Sequence, residues 1–343
     1  METQYAFDRS RVSAVRPPDG RMILGTHLFH QLCTSRIAMK LGAQKQAIKK
    51  LEPAQDFLEA SMAAGLPANT FVVLDTHSDA LSGSLQYSGG LHTSGKHATA
   101  PDVLEAFLGV EFLAAAKKAA EQARRQPSSP EDCWYKTGAH WRGGWRCLAL
   151  CTCGPAMTVS SHFEKVRQLV ADDVFDVVLG FGGSSTLPTQ VREGISKFVE
   201  GMGLNRTAPI WELMCRVIAE NRALLRANSA VLVFKDRGPS SRVTVREIGL
   251  HNPPWRLWGY QIRACGTEGC IPSPENLVIK SKPGPKYRVT CAECGWRSAW
   301  VAEKSTEGLV FPVSPNINDV FWHSYPPSVQ LQGIFVARTP RGA

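Results

Sequence analysis

The sequence lacks any uninterrupted apolar stretch near the ~18 residues that a membrane-spanning helix requires, so no membrane span is expected. A secretory leader is not expected either, because Met1 is followed by the polar Glu-Thr-Gln rather than by a basic and then an apolar segment. Long runs of one charge are missing as well. Arg and Lys are scattered, and the formal net charge of +9 permits contact with nucleic acid, an acidic protein or a membrane surface without selecting among them. No internal repeat stands out, and the basic Pro/Gly stretch at 280–288 is too short to count as low complexity. Gly182-Gly183-Ser184-Ser185 is followed by no Gly-Lys-Ser/Thr, which removes a phosphate loop from consideration.

What is present is ordinary for a globular chain: 343 residues, 43% hydrophobic and 20% charged. That length exceeds what one core usually serves, so a large domain with a smaller appendage is expected. With no leader expected, ten cysteines point to a reducing compartment, cytoplasmic or nuclear, where thiols bind metal, do chemistry or fill core.

Residues 1–20 are polar and read as a loose arm. Helical spacing follows from 22 to 66, with Pro53 suited to a first turn. Two short apolar runs, Phe71-Val-Val-Leu-Asp-Thr-His77 and Cys147-Leu-Ala-Leu-Cys151-Thr-Cys153-Gly154, read as buried strands. The Gly/Ser/His-rich stretch 82–99 reads as a loop, 101–125 as a long helix with Thr99 as a candidate cap, and 126–145 as a polar insertion. A helix is expected at 159–171, a strand within 172–182, helices near 188–201 and 209–226, and a strand at 230–234. Strands alternating with helices imply an α/β fold with a largely parallel sheet covered on both faces. Composition shifts at 236–242, which reads as a hinge before a β-rich module without a helix. The expected domains are therefore the arm 1–20, an α/β domain 21–235 and a β-rich domain 236–343.

If the two apolar runs are neighbouring strands, their ends set the His77 imidazole and the Cys151 thiol at one sheet edge. A thiolate nucleophile with a His to hold and return the proton is the machinery of a cysteine hydrolase, and nearby backbone N–H groups can stabilise an oxyanion. A cysteine or histidine at a strand end is, taken alone, more often packing than catalysis. His92, His97, His140 and His162 are further candidates for the base, and Cys147 and Cys153 flank the thiol.

The segments Val73-Leu-Asp-Thr-His77-Ser, Leu148-Ala-Leu-Cys151-Thr-Cys-Gly154 and Phe175-Asp-Val-Val-Leu-Gly-Phe181, with the helix around Lys197-Phe-Val, resemble the caspase-like cysteine protease fold. They are most similar to its CHAT branch, over residues 20–235. The resemblance implies a cysteine endopeptidase acting on a protein or peptide through a thioester, with His77 as general base and Cys151 as nucleophile. Ser78 departs from the glycine that usually follows that histidine, and the 126–145 connection is enlarged. A catalytically inactive, CHAT-like interaction protein is the alternative these departures carry.

Four later cysteines form Cys265-x4-Cys270 and Cys291-x2-Cys294, twenty residues apart. Close pairs of this kind converge on a tetrahedral, structural Zn2+, which supplies folding energy to a module too small for much core. Cys-Ala-Glu-Cys-Gly-Trp resembles a zinc ribbon. Such a module recruits a protein or nucleic-acid partner, and Arg263, Lys280, Lys282, Lys286, Arg288 and Arg297 with Tyr287, Trp296 and Trp300 are candidates for phosphate and base contacts. The bland reading of the same residues is a solvated charged face with a few aromatics closing the core. A zinc-ribbon nucleic-acid-binding protein is accordingly a third reading.

Overall fold

The computed structural model describes residues 44–63, 68–88, 96–125, 144–183, 186, 188–204, 209–235, 242–253 and 255–337. The arm expected over 1–20, the insertion at 126–143, the hinge at 236–241, His92 and His140 lie outside the described residues.

The chain runs α1 (Gln44–Ala63), β1 (Thr70–Asp75), β2 (Leu85–Ser88), β3 (Lys96–Ala98), α2 (Ala100–Arg125), β4 (Arg146–Cys151), α3 (Pro155–Thr158), α4 (Ser160–Ala171) and β5 (Val177–Phe181). Then follow α5 (Pro188–Leu204), α6 (Ile210–Ala219), α7 (Arg222–Ala227), β6 (Ala230–Lys235) and β7 (Val243–Leu250). The remainder holds β8 (Leu277–Lys282), β9 (Lys286–Cys291), β10 (Val301–Ala302), β11 (Val310–Ser314), β12 (Ile317–Ser324) and α8 (Val329–Val336).

Seven strands form one sheet in the order β1, β4, β5, β6, β7, β12, β11. The first three are parallel, and every later junction is antiparallel. The sheet is therefore mixed, where the sequence suggested a largely parallel one. Short connections leave little choice here: β11 and β12 are separated by two residues, and a tight turn joins only antiparallel neighbours.

β4, β5 and β6 are buried on both faces, in keeping with their unbroken apolar sequences. One face, with Leu148, Leu150, Val178 and Val233, packs under α1, α2 and α4. The other, with Cys147, Ala149, Leu179 and Leu232, packs under α5, α6 and α7. At the amino ends of β4 and β5, Arg146 and Asp176 are each 1% exposed and joined at 2.8 Å, with Arg146 Nε donating to Asp176 Oδ2 at 3.2 Å. Arg146 N also donates to Asp176 Oδ2, at 3.0 Å, so the pair clamps the two strands at their starts.

Three local expectations change. Pro53 lies inside α1 rather than in its first turn, because Ala47, Leu51 and Leu58 bury one continuous face across it. The stretch 82–99, read as loop, contributes the hairpin pair β2 and β3. The helix α2 is interrupted at Gly109, whose φ of 76° leaves the right-handed helical region.

The composition break at 236–242 does not divide the sheet: β7, β11 and β12 all lie beyond it and complete the seven strands. Between β7 and β11 a second, three-stranded antiparallel sheet (β10, β9, β8) covers a third core. Leu277, Ile279, Val289 and Trp296 meet Trp258, Leu331 and Phe335 there. Phe335 belongs to α8, in the region expected to hold no helix.

Candidate functional site

β1 and β4 are adjacent and parallel, in a register that sets Asp75 opposite Cys151. His77 therefore follows β1 at the same sheet edge where Cys151 ends β4. The edge is knitted together by hydrogen bonds: Thr76 N donates to Cys151 O at 3.3 Å, and Ser78 Oγ donates to Cys153 O at 3.0 Å. Ser78, the departure from glycine, thus ties the histidine loop to the cysteine loop. Gln86 N donates to His77 O at 2.8 Å, fixing that loop against β2.

The two side chains differ in exposure. His77 is exposed, while Cys151 is 6% exposed among Cys147, Ala149 and the helices of the α5 face. Burial, and then the Asp75 carboxylate, push the Cys151 thiol up to about 12. Among the described residues no hydrogen bond joins Cys151 Sγ to the His77 ring. Cys153, two residues beyond Cys151 and directly before Gly154, is half-buried.

Beyond Cys153 the chain passes very close to the end of β5. Gly154 N donates to Gly183 O at 2.6 Å, and a Cβ on Gly154 would stand 2.4 Å from that same oxygen. Only glycine fits there. Gly182 in turn faces a polar cluster that the sequence did not reveal: a Cβ on it would lie 3.1 Å from Glu247 Oε1 and 3.2 Å from Arg263 Nη2. Glu247 is buried, accepts a hydrogen bond from Ser229 Oγ, and lies 3.5 Å from His323 Nε2 and 3.7 Å from Arg263 Nη2. These residues come from the residue before β6, from β7 and β12 and from the loop after β7, so no local motif could have grouped them. Asp75 was missed for a similar reason: its partner is fixed by register across more than seventy residues of chain.

The other candidate bases divide. His162 is buried, its Nδ1 2.8 Å from Ala156 O and its Nε2 accepting from Ala100 N at 3.3 Å, which joins α4 to the start of α2. Burial lowers its pKa, and both ring nitrogens are engaged in packing contacts. His97 lies exposed in β3.

The four later cysteines converge. Their sulfurs all lie within 4.8 Å of one another, with Cys265 Sγ and Cys294 Sγ 3.7 Å apart and Cys270 Sγ and Cys291 Sγ 3.9 Å apart. A tetrahedral Zn2+ with Zn–S bonds of ~2.3 Å requires S···S edges of ~3.8 Å, so the set fits a four-thiolate metal site. A disulfide has an S–S bond of ~2.05 Å, far shorter than these separations. Cys291 ends β9, and Gly295 at φ 71° turns the chain back so that Gly295 N bonds Cys291 O at 3.0 Å. Glu293, inside this turn, accepts from Ser273 N at 3.1 Å and Asn276 Nδ2 at 2.7 Å, which anchors it to the segment before β8. Thr267 beside Cys294 holds that thiol down to about 6, whereas Cys265 pushes Cys270 up. Four sulfurs this close cannot all ionise without a cation among them.

Comparison with protein family models, with curated proteins and with solved structures finds no match to this chain. Among the described residues no helix is long and apolar enough to cross a membrane.

Proposed function

We propose that the chain is a caspase-like, CHAT-type cysteine endopeptidase with Cys151 as nucleophile and His77 as general base, carrying a structural zinc-ribbon module for partner recruitment. The observation that carries this reading is the parallel, in-register pairing of β1 with β4, which brings the two strand ends to one edge. In the reaction, His77 takes the thiol proton as sulfur attacks the peptide carbonyl, and returns it to the leaving amine; water then hydrolyses the thioester. The cysteine cluster has four thiolate ligands and no open position, so it serves the module's fold. The covered, protonated Cys151 is the resting arrangement, and substrate or partner binding has to open it.

A second reading, a non-catalytic interaction protein on the same scaffold, is favoured by that same covered thiol and by the Gly154 N–H being committed to Gly183 O. The deciding experiment offers the full chain a diverse peptide library and a peptidyl thiol-directed electrophile. Hydrolysis and labelling that vanish in Cys151→Ala and persist in Cys153→Ala support the peptidase. Cleavage surviving in Cys151→Ala, or neither hydrolysis nor labelling of the unaltered chain, overturns it.

A further inference from the structure

The three-stranded sheet has two unlike faces. Leu277 and Ile279 of β8 and Val289 of β9 point into the third core, so Val278, Lys280 and Lys282 of β8 point outward. Across the ladder Thr290 faces Val278, Arg288 faces Lys280 and Lys286 faces Lys282. Arg297, bridged to Thr290, extends the face, and Trp300 completes it, with Lys282 Nζ 4.5 Å and the Arg288 guanidinium 4.7 Å from its ring centroid. Among the described residues none of these five cations is paired with a carboxylate. Arg288 Nε and Thr290 Oγ1, both buried, have no hydrogen-bond partner.

Like charges directly opposite in a ladder destabilise it, so two such pairs without acids need a reason. Lysines on edge strands deter aggregation, which accounts for β8 alone. Lys286 and Arg288 are on the central strand, where edge protection has no purpose.

We infer that this outer face of β8, β9 and β10 binds single-stranded nucleic acid through its sugar-phosphate backbone. Five cations on one flat face give charge complementarity to a polyphosphate chain, and the spacing of ~6.8 Å between alternate residues along a strand suits successive phosphates of an extended polymer. A three-stranded face is wider than the two-stranded ribbon that a duplex major groove admits. The Arg288–Trp300 stack offers a platform for an unpaired base. An anionic bilayer is disfavoured because, among the described residues, the apolar part of the face is only Val278 and a Trp300 ring already covered by Lys282 and Arg288, too little to bury in an acyl layer. The inference is independent of the peptidase reading.

The test is fluorescence anisotropy of the full chain with a labelled 20-nucleotide single strand, a matched duplex and phosphatidylserine vesicles, across a salt series. With five phosphates neutralised, the slope of log K against log salt for the single strand is about −3.5. The exposed pair Lys280→Ala/Lys286→Ala should weaken binding about twentyfold at 0.1 M salt and reduce the slope by about 1.4. The control pair Lys45→Ala/Lys49→Ala on α1 should change neither. No single-strand binding at low salt, an unchanged slope in the first pair, or preference for duplex or vesicles overturns the assignment.

Discussion

At neutral pH the Cys151 thiol keeps its proton, since burial and the Asp75 carboxylate both oppose the thiolate. With that thiol near 12, alkylation by iodoacetamide, followed by mass spectrometry of the peptide holding Cys151, should speed up about tenfold per pH unit between 7 and 10 with no plateau. Asp75→Asn should raise the rate at each pH. A plateau below pH 8 would instead mean that an imidazole already holds the proton. Cys151 and His77 were legible in the sequence because each ends an apolar run bounded by turn residues. Asp75 was not, because a carboxylate in a strand reads as solvent-facing until register sets it against a thiol. The Glu247, Arg263 and His323 cluster was hidden more deeply, being assembled from separate strands and a loop.

At the scale of elements, the turn after β4 and the end of β5 are held by backbone contact, so Gly154→Ala has no room even though a right-handed φ of −49° would suit alanine. It should cost about 1 to 3 kcal/mol in urea unfolding through crowding alone. At the opposite end of the same strands, Asp176→Ala strands the buried Arg146 guanidinium and should cost about 3 to 5 kcal/mol, read the same way. The strands β4, β5 and β6 and the helices α4 and α5 follow local pattern closely, since unbroken apolar runs and helical spacing suffice to mark them. The helix expected at 209–226 is instead split at Glu220–Asn221 into α6 and α7, and β1, read as buried, is an edge strand with Val73 half exposed. β2, β3 and the interior position of Pro53 depart from local pattern too. There, tertiary packing outweighs composition: Leu85 is wholly buried within a Gly/Ser-rich stretch, and α1 keeps its apolar face despite the proline.

On the scale of the molecule, the cysteine cluster stands beside a core that also holds Phe321 of β12 and Phe335 of α8. Treatment with a metal chelator, or Cys291→Ser, should therefore lower the thermal midpoint of the full chain by several degrees, followed by calorimetry. The cysteine spacing alone disclosed the four-thiol cluster. It could not disclose where the module sits, because β11 and β12 reach the main sheet only by long-range pairing. Both ends of the cysteine-bearing segment are thus stitched to one host sheet, through β7 before it and β11 after it. Trimming the chain at 236 would strip away three of seven strands and bare β6, whose Val231, Val233 and Phe234 would seek new partners. Excising the segment between Leu250 and Val310 is no remedy either, because β7 and β11 run parallel with β12 between them and need a long crossover, and because the excised part carries Arg263 beside Glu247 and most of the core over Phe321.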